Sequence, residues 1–175
     1  MLQRTIFVCF ALGAITLAGC KKNDTAEFPP TEAGARALLM RFLKPGADHA
    51  ALSMQLKPQA GDYAKVFVNA EMAKKAEEKY QSLWNMVKSR PLAPKAGQTE
   101  LTLVSATTDD LKAGKGNARK FPGGYARAAS HLRPGLTVYR FKFVKPGESL
   151  GMAFDGLYNI DGRWVLMPKP WRVTR

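Results

Sequence analysis

The spacing of apolar residues changes once along this chain, between Pro91 and Pro94, and that change limits what it can fold into. Before it the spacing is helical. Ala35, Leu38, Leu39, Phe42 and Leu43 recur three and four residues apart and share one helix face. Thr31 is placed to cap that helix, and Pro45 and Gly46 to stop it. A short helix is expected over residues 48–57, bounded by Pro58, and Asp62 is expected to cap a further turn that buries Tyr63, Val66 and Phe67. The longest helix is predicted to start near Asn69 and to present Met72, Ala73, Ala76, Tyr80, Leu83, Trp84 and Val87 as one stripe, ending before Pro91. Glu71 near its start and Lys88 and Arg90 near its end suit the helix dipole. A Met and aromatic stripe at this spacing reads as core rather than as a cofactor site.

After Pro94 the period is two. Leu101 and Leu103 alternate with Thr102 and Val104, which predicts a strand. A Gly-, Lys- and Arg-rich stretch over 112–124 reads as a loop, followed by a short helix over 125–132. A second strand is expected over 136–144, with Tyr139, Phe141 and Phe143 facing one way and Arg140 and Lys142 the other. Pro146 and Gly147 turn the chain into a strand over 150–159, and Asp161 and Gly162 turn it into another over 163–167. Strands joined by such short turns are antiparallel. The reading is an α+β domain over residues 31–175, with N-terminal helices packed on a curved antiparallel sheet of about four strands.

Neither cysteine is left to staple this domain. Cys9 lies inside an uncharged run over residues 6–17 that follows Arg4, and the run closes with Leu17, Ala18, Gly19 and Cys20. About 15 apolar residues at 1.5 Å each span roughly 22 Å, short of a ~30 Å hydrocarbon core, which favours a cleaved signal over a membrane-spanning or buried helix. The closing quartet resembles the lipobox of bacterial lipoproteins. That resemblance implies a signal peptide over 1–19, removed in the mature chain, and a Cys20 that carries diacylglyceryl and a further acyl chain such as palmitate. Residues 20–30, polar and ending in Pro29 and Pro30, read as a lipidated tether. With the first two decades of sequence assigned to export and anchoring, the domain has no thiol and must be held by its core.

Charge is placed unevenly. From residue 20 to 111 there are 13 Lys or Arg against 11 Asp or Glu, a net of +2; from 112 to 175 there are 13 against 3, a net of +10. Basic residues interleaved with aromatics can indicate nucleic acid, but an exported chain meets anionic lipid, acidic envelope polymers or envelope proteins instead. Solvation of a sheet face is the plainer alternative. Arg140, Lys142, Lys169, Trp171 and Arg172 are the candidate binding residues. Pro168 and Pro170 bar an ordinary strand there, so Trp171 is expected to fold back on the sheet, or else to stand exposed between Lys169 and Arg172.

Catalytic patterns are few. Gly147, Ser149 and Gly151 match the G-x-S-x-G elbow, but the segment joins two expected strands and neither His49 nor His131 follows Ser149. Two distant histidines form no metal set, and no cofactor is implied. Gly114, Lys115 and Gly116 lack the rest of a phosphate loop. Alternation groups Asp155 with Ala153 and Leu157. If it lies inside, near Tyr139 or His131, those three are the candidates for acid/base work; an edge-exposed Asp155 would have no such role.

Element order over residues 31–172, with the run Gly151-Met152-Ala153-Phe154-Asp155-Gly156-Leu157-Tyr158 leading to Gly162-Arg163-Trp164-Val165-Leu166, resembles the nuclear-transport-factor-two-like superfamily, or more widely the cystatin-like class. That resemblance implies a sheet wrapped around helices and a cone-shaped pocket that in some members holds a catalytic acid. The expectation is a non-enzymatic binding or accessory lipoprotein of the cell envelope, with a small-molecule enzyme using Asp155 as the alternative. Lys21 after Cys20, where inner-membrane lipoproteins often carry Asp, points to the outer membrane, facing the periplasm.

Overall fold

The structure, a computed structural model, describes residues 27–174. The leader, Cys20 and the first part of the tether lie outside the described residues. Helix α1 (Glu32–Met40) starts where Thr31 Oγ1 accepts the Gly34 N–H, and it tightens into a 3-10 turn at Arg41–Leu43. Asp48 caps α2 (His49–Gln55) by accepting the Ala51 N–H, and Asn69 caps α4 (Ala70–Met86) by accepting that of Met72. Asp62 is the exception. It is the third residue of α3 (Ala60–Val66), not its cap: Gln59 holds the cap position and donates its N–H to Asp62 Oδ2 at 2.7 Å. The other oxygen of this buried carboxylate takes the Arg163 guanidinium, tying α3 to the sheet.

Four strands form one antiparallel meander in the order β1 (Glu100–Thr107), β2 (Thr137–Val144), β3 (Gly151–Ile160) and β4 (Arg163–Leu166). The stretch expected as a loop over 112–124 is mostly helical. Thr107 and Asp110 cap one another to start α5 (Thr108–Ala113), a 3-10 turn follows at Gly116–Lys120, and α6 (Gly124–Ala128) runs into another at Ala129–His131. Thr108 Oγ1 donates to the Arg133 carbonyl and Asp109 accepts the Gly135 N–H, so this insert closes on itself before β2 begins.

Register assigns the faces. Leu103, Phe141 and Phe154 oppose one another across the sheet, and with Phe143, Tyr139 and Trp164 they form one side. The N-terminal segment covers it: the Phe42 ring lies 6.0 Å from that of Phe143, and Trp164 Nε1–H donates to the Phe28 carbonyl at 3.0 Å. The opposite side carries Val138, Asp155, Tyr158 and Val165 and meets Tyr125 of α6. Helix α4 lies against α3, with Tyr63 and Tyr80 stacked at 6.1 Å, and reaches the tail beyond β4 through the Tyr80 hydroxyl. The buried side chains join into one core drawn from all these elements.

Plain alternation fails at one point of β3. Tyr139 opposes Leu157 while Arg140 opposes Asp155, so Gly156 is an extra residue, a bulge with φ of +80°. Asp155 therefore shares a side with Ala153 but not with Leu157. A Cβ on residue 156 would stand 2.2 Å from the Met167 carbonyl oxygen, which requires glycine for space as well as for backbone angle. Gly156→Ala is expected to cost at least about 2 kcal/mol in urea unfolding, against about 1 kcal/mol for Gly162→Ala, where φ is also positive but the space is open. Equal losses would show that the bulge is not constrained by its neighbours.

Candidate functional site

The bulge sets where Asp155 points, and the end of β4 sets what it holds. Met167 N–H reaches the Gly156 carbonyl at 2.8 Å, but Pro168 has no N–H with which to continue the ladder. The chain turns away through Lys169, a non-glycine residue with φ of +55°, into a 3-10 turn at Pro170–Arg172. Asp155 replaces the lost ladder partner. Its Oδ1 accepts the Lys169 N–H at 2.8 Å and the Tyr125 hydroxyl at 2.9 Å. Tyr80 donates its hydroxyl to the Pro168 carbonyl at 2.9 Å, and Trp171 lies edge-on to Tyr125 with ring centres 5.2 Å apart. Gly124 gives Trp171 its room, since a Cβ there would lie 2.2 Å from the indole. Trp171 thus packs back onto α6, and the tail is fastened at three points.

Three buried tyrosines surround this clasp. Burial, then the neighbouring Tyr158 and Asp155, raise the Tyr80 and Tyr125 hydroxyls well above their ordinary pKa, and burial with Asp155 does the same for Tyr158. The Tyr158 hydroxyl is buried without a partner among the described residues. Tyr63 is pushed up to about 12, first by burial and then by Glu77 and Asp62. Tyr139, on the other side of the sheet, is raised by burial and by Glu32.

Beyond the clasp a cleft of about 470 Å³ opens. It exists because β3 has ten residues and β4 four. Strand β4 pairs only with Leu157–Ile160, leaving the first half of β3 with no strand on that side. The end of α4 with Pro91 and Leu92 stands across the gap. Leu83, Met86, Leu92, Met152, Phe154 and Val173 give an apolar lining, and Lys79, Arg90, Lys169 and Arg172 contribute four cations. Among the described residues, Asp155 is the only acid in the wall.

Of the residues singled out from sequence, Asp155, Lys169 and Arg172 come together here. The others do not. Tyr139 packs against Trp164 with ring centres 5.4 Å apart on the opposite side of the sheet. His131 ends the insert, where its backbone carbonyl accepts the Val68 N–H. Arg140 donates to the Lys120 carbonyl at the end of a 3-10 turn and Lys142 to that of Ser149 in the β2–β3 loop, and neither lines the cleft. Ser149 lies between β2 and β3, outside any strand-to-helix turn. Lys79, Arg90 and the apolar lining carried no signal in sequence, because only the unequal strand lengths bring them together. No group of three His, Cys, Asp or Glu side chains is placed to hold a metal among the described residues.

Asp155→Ala strands two donors and is expected to cost about 2–5 kcal/mol in urea unfolding; Asp155→Asn keeps an acceptor and should cost less than half of that. A general acid would instead show normal stability in both variants. High pH gives a second check. Each tyrosine holds its proton more tightly folded than unfolded, so this stability is complete below pH 10, the ordinary tyrosine value, and falls as pH rises above it. Tyrosinate absorbance should appear together with loss of ellipticity; reversible ionisation near pH 10 with the fold intact would contradict the burial. Compared with known proteins, the chain matches no family model, no curated protein and no solved structure.

Proposed function

We propose that this chain is a bacterial envelope lipoprotein, anchored through an acylated Cys20, whose domain is a non-enzymatic module for an anionic partner beside the membrane. One observation carries the binding half of this reading. Among the described Lys and Arg side chains after residue 111, Arg163 alone pairs with a carboxylate. The net charge of +10 in that half of the sequence is left almost uncompensated inside the fold, which favours an external anion. An outer-membrane site facing the periplasm, and a nuclear-transport-factor-two-like or cystatin-like fold, belong to the same proposal. Helices followed by a four-stranded antiparallel meander support the likeness.

The anchor reading rests on the Leu17-Ala18-Gly19-Cys20 quartet and on how near it lies to the fold. The chain is already engaged at Phe28, whose carbonyl accepts the Trp164 indole N–H. Eight steps from Cys20 reach at most about 29 Å. An acylated Cys20 would thus keep Phe28 within about 29 Å of the bilayer, less than the diameter of a domain this size. Two acyl chains or more make such an anchor effectively permanent.

The alternative, a small-molecule enzyme using Asp155, draws on the place of that residue in the cleft wall. Against it, Asp155 Oδ1 is engaged by two structural donors, and neither Tyr139 nor His131 shares the cleft. Growth of the producing bacterium with labelled palmitate tests the anchor. The protein should carry label and sediment with membranes, and Cys20→Ser should remove the label. Unchanged labelling of that variant, or none in the parent, would overturn the assignment.

A further inference from the structure

We propose that the cleft between α4, the unpaired half of β3 and the C-terminal tail binds a single-chain amphiphile with an anionic head, its apolar chain laid along Leu83, Met86 and Phe154 and its head among Lys79, Arg90, Lys169 and Arg172. This deepens the reading of the domain as an anion-binding module, and it takes from the anchor reading only the nearby membrane that would supply such a molecule.

Three features carry it. The cleft, at about 470 Å³, lies within the range of small-molecule sites and holds one chain more readily than two. Its lining is mainly apolar, and Met86 within it is half exposed. The four cations supply the charge that selects it. None of their side-chain heads makes a hydrogen bond or ion pair among the described residues, so each is free to meet an anion without breaking a contact. The one acid in the wall offers little opposition, because Asp155 accepts the Tyr125 hydroxyl and the Lys169 N–H. That same contact places the Lys169 and Arg172 backbone at the cleft mouth, so the clasp builds half of the cationic rim.

The test uses the full chain held in nanodiscs of uncharged lipid. A photoreactive decanoate is activated with light and its adducts are mapped by mass spectrometry. Adducts are expected on peptides from α4 and β3 that line the cleft, with unlabelled decanoate or decyl phosphate suppressing them; the more effective of the two identifies a carboxylate or a phosphate head. Decanol, with the chain but no charge, should compete about tenfold less well, and Arg90→Gln with Arg172→Gln should cut labelling by about tenfold with the thermal midpoint unchanged. Adducts scattered outside the cleft, equal competition by decanol, or suppression by inorganic phosphate alone would each overturn the proposal. Failure of the anchor reading is separable: the Cys20→Ser chain, which has lost its acylation site, should still be labelled in the cleft.

Discussion

A single carboxylate, Asp155, joins the three parts of this fold that sequence order does not bring together. It stands on β3, takes the Tyr125 hydroxyl from the insert between β1 and β2, and takes the Lys169 N–H from the tail beyond the last strand. Without disulfides to hold a tail in place, the domain uses a charge-assisted hydrogen bond in a buried setting, where each such contact is stronger than in water and losing an acceptor is expensive. The rest depends on the Gly156 bulge. Were β3 regular, the residue at position 155 would follow Leu157 onto the Trp164 side of the sheet, and the tail would have nothing to close upon.

The cleft is the consequence of how that closure is made. Pro168 ends β4 after four residues, so the strand edge beyond it is left open, and the tail turns aside instead of covering it. An open edge is ordinarily a hazard for pairing with other chains. Here α4 and the segment after it stand across the edge, and four cations surround what remains open. Structural fastening and two of the four cations of the rim, Lys169 and Arg172, therefore come from the same short segment. This also explains why a buried acid in a pocket wall need not be a catalyst: its geometry is spent on holding the backbone that presents Lys169 and Arg172.

Much of the fold could be read from the residues alone, because the relevant signals are local. The change of period at Pro91–Pro94, the caps at Thr31, Asp48 and Asn69, and the turns at Pro146-Gly147 and Asp161-Gly162 each act within a few residues. What escaped depends on partners distant in sequence. Glycine at position 156 could have served a strand, a turn or a close approach, and only the Met167 carbonyl pressed against it decides for a bulge. The basic stretch after Leu111 resembles a loop in composition, yet the Thr107 and Asp110 caps and the burial of Leu111, Phe121 and Tyr125 make it helical. The cleft was the least legible part. Pro168 and Pro170 bar a strand locally, but the gap beside β3 follows only from the unequal lengths of β3 and β4.

Amide hydrogen exchange at Lys169 reads directly whether Asp155 fastens the tail. With the clasp formed, this amide should exchange slowly, at a rate close to that of Leu166 within β4, although it lies beyond a proline in a segment with no strand partner. Exchange at the rate of a free peptide, with Leu166 protected, would mean that the tail is not held and that Asp155 is available for another task.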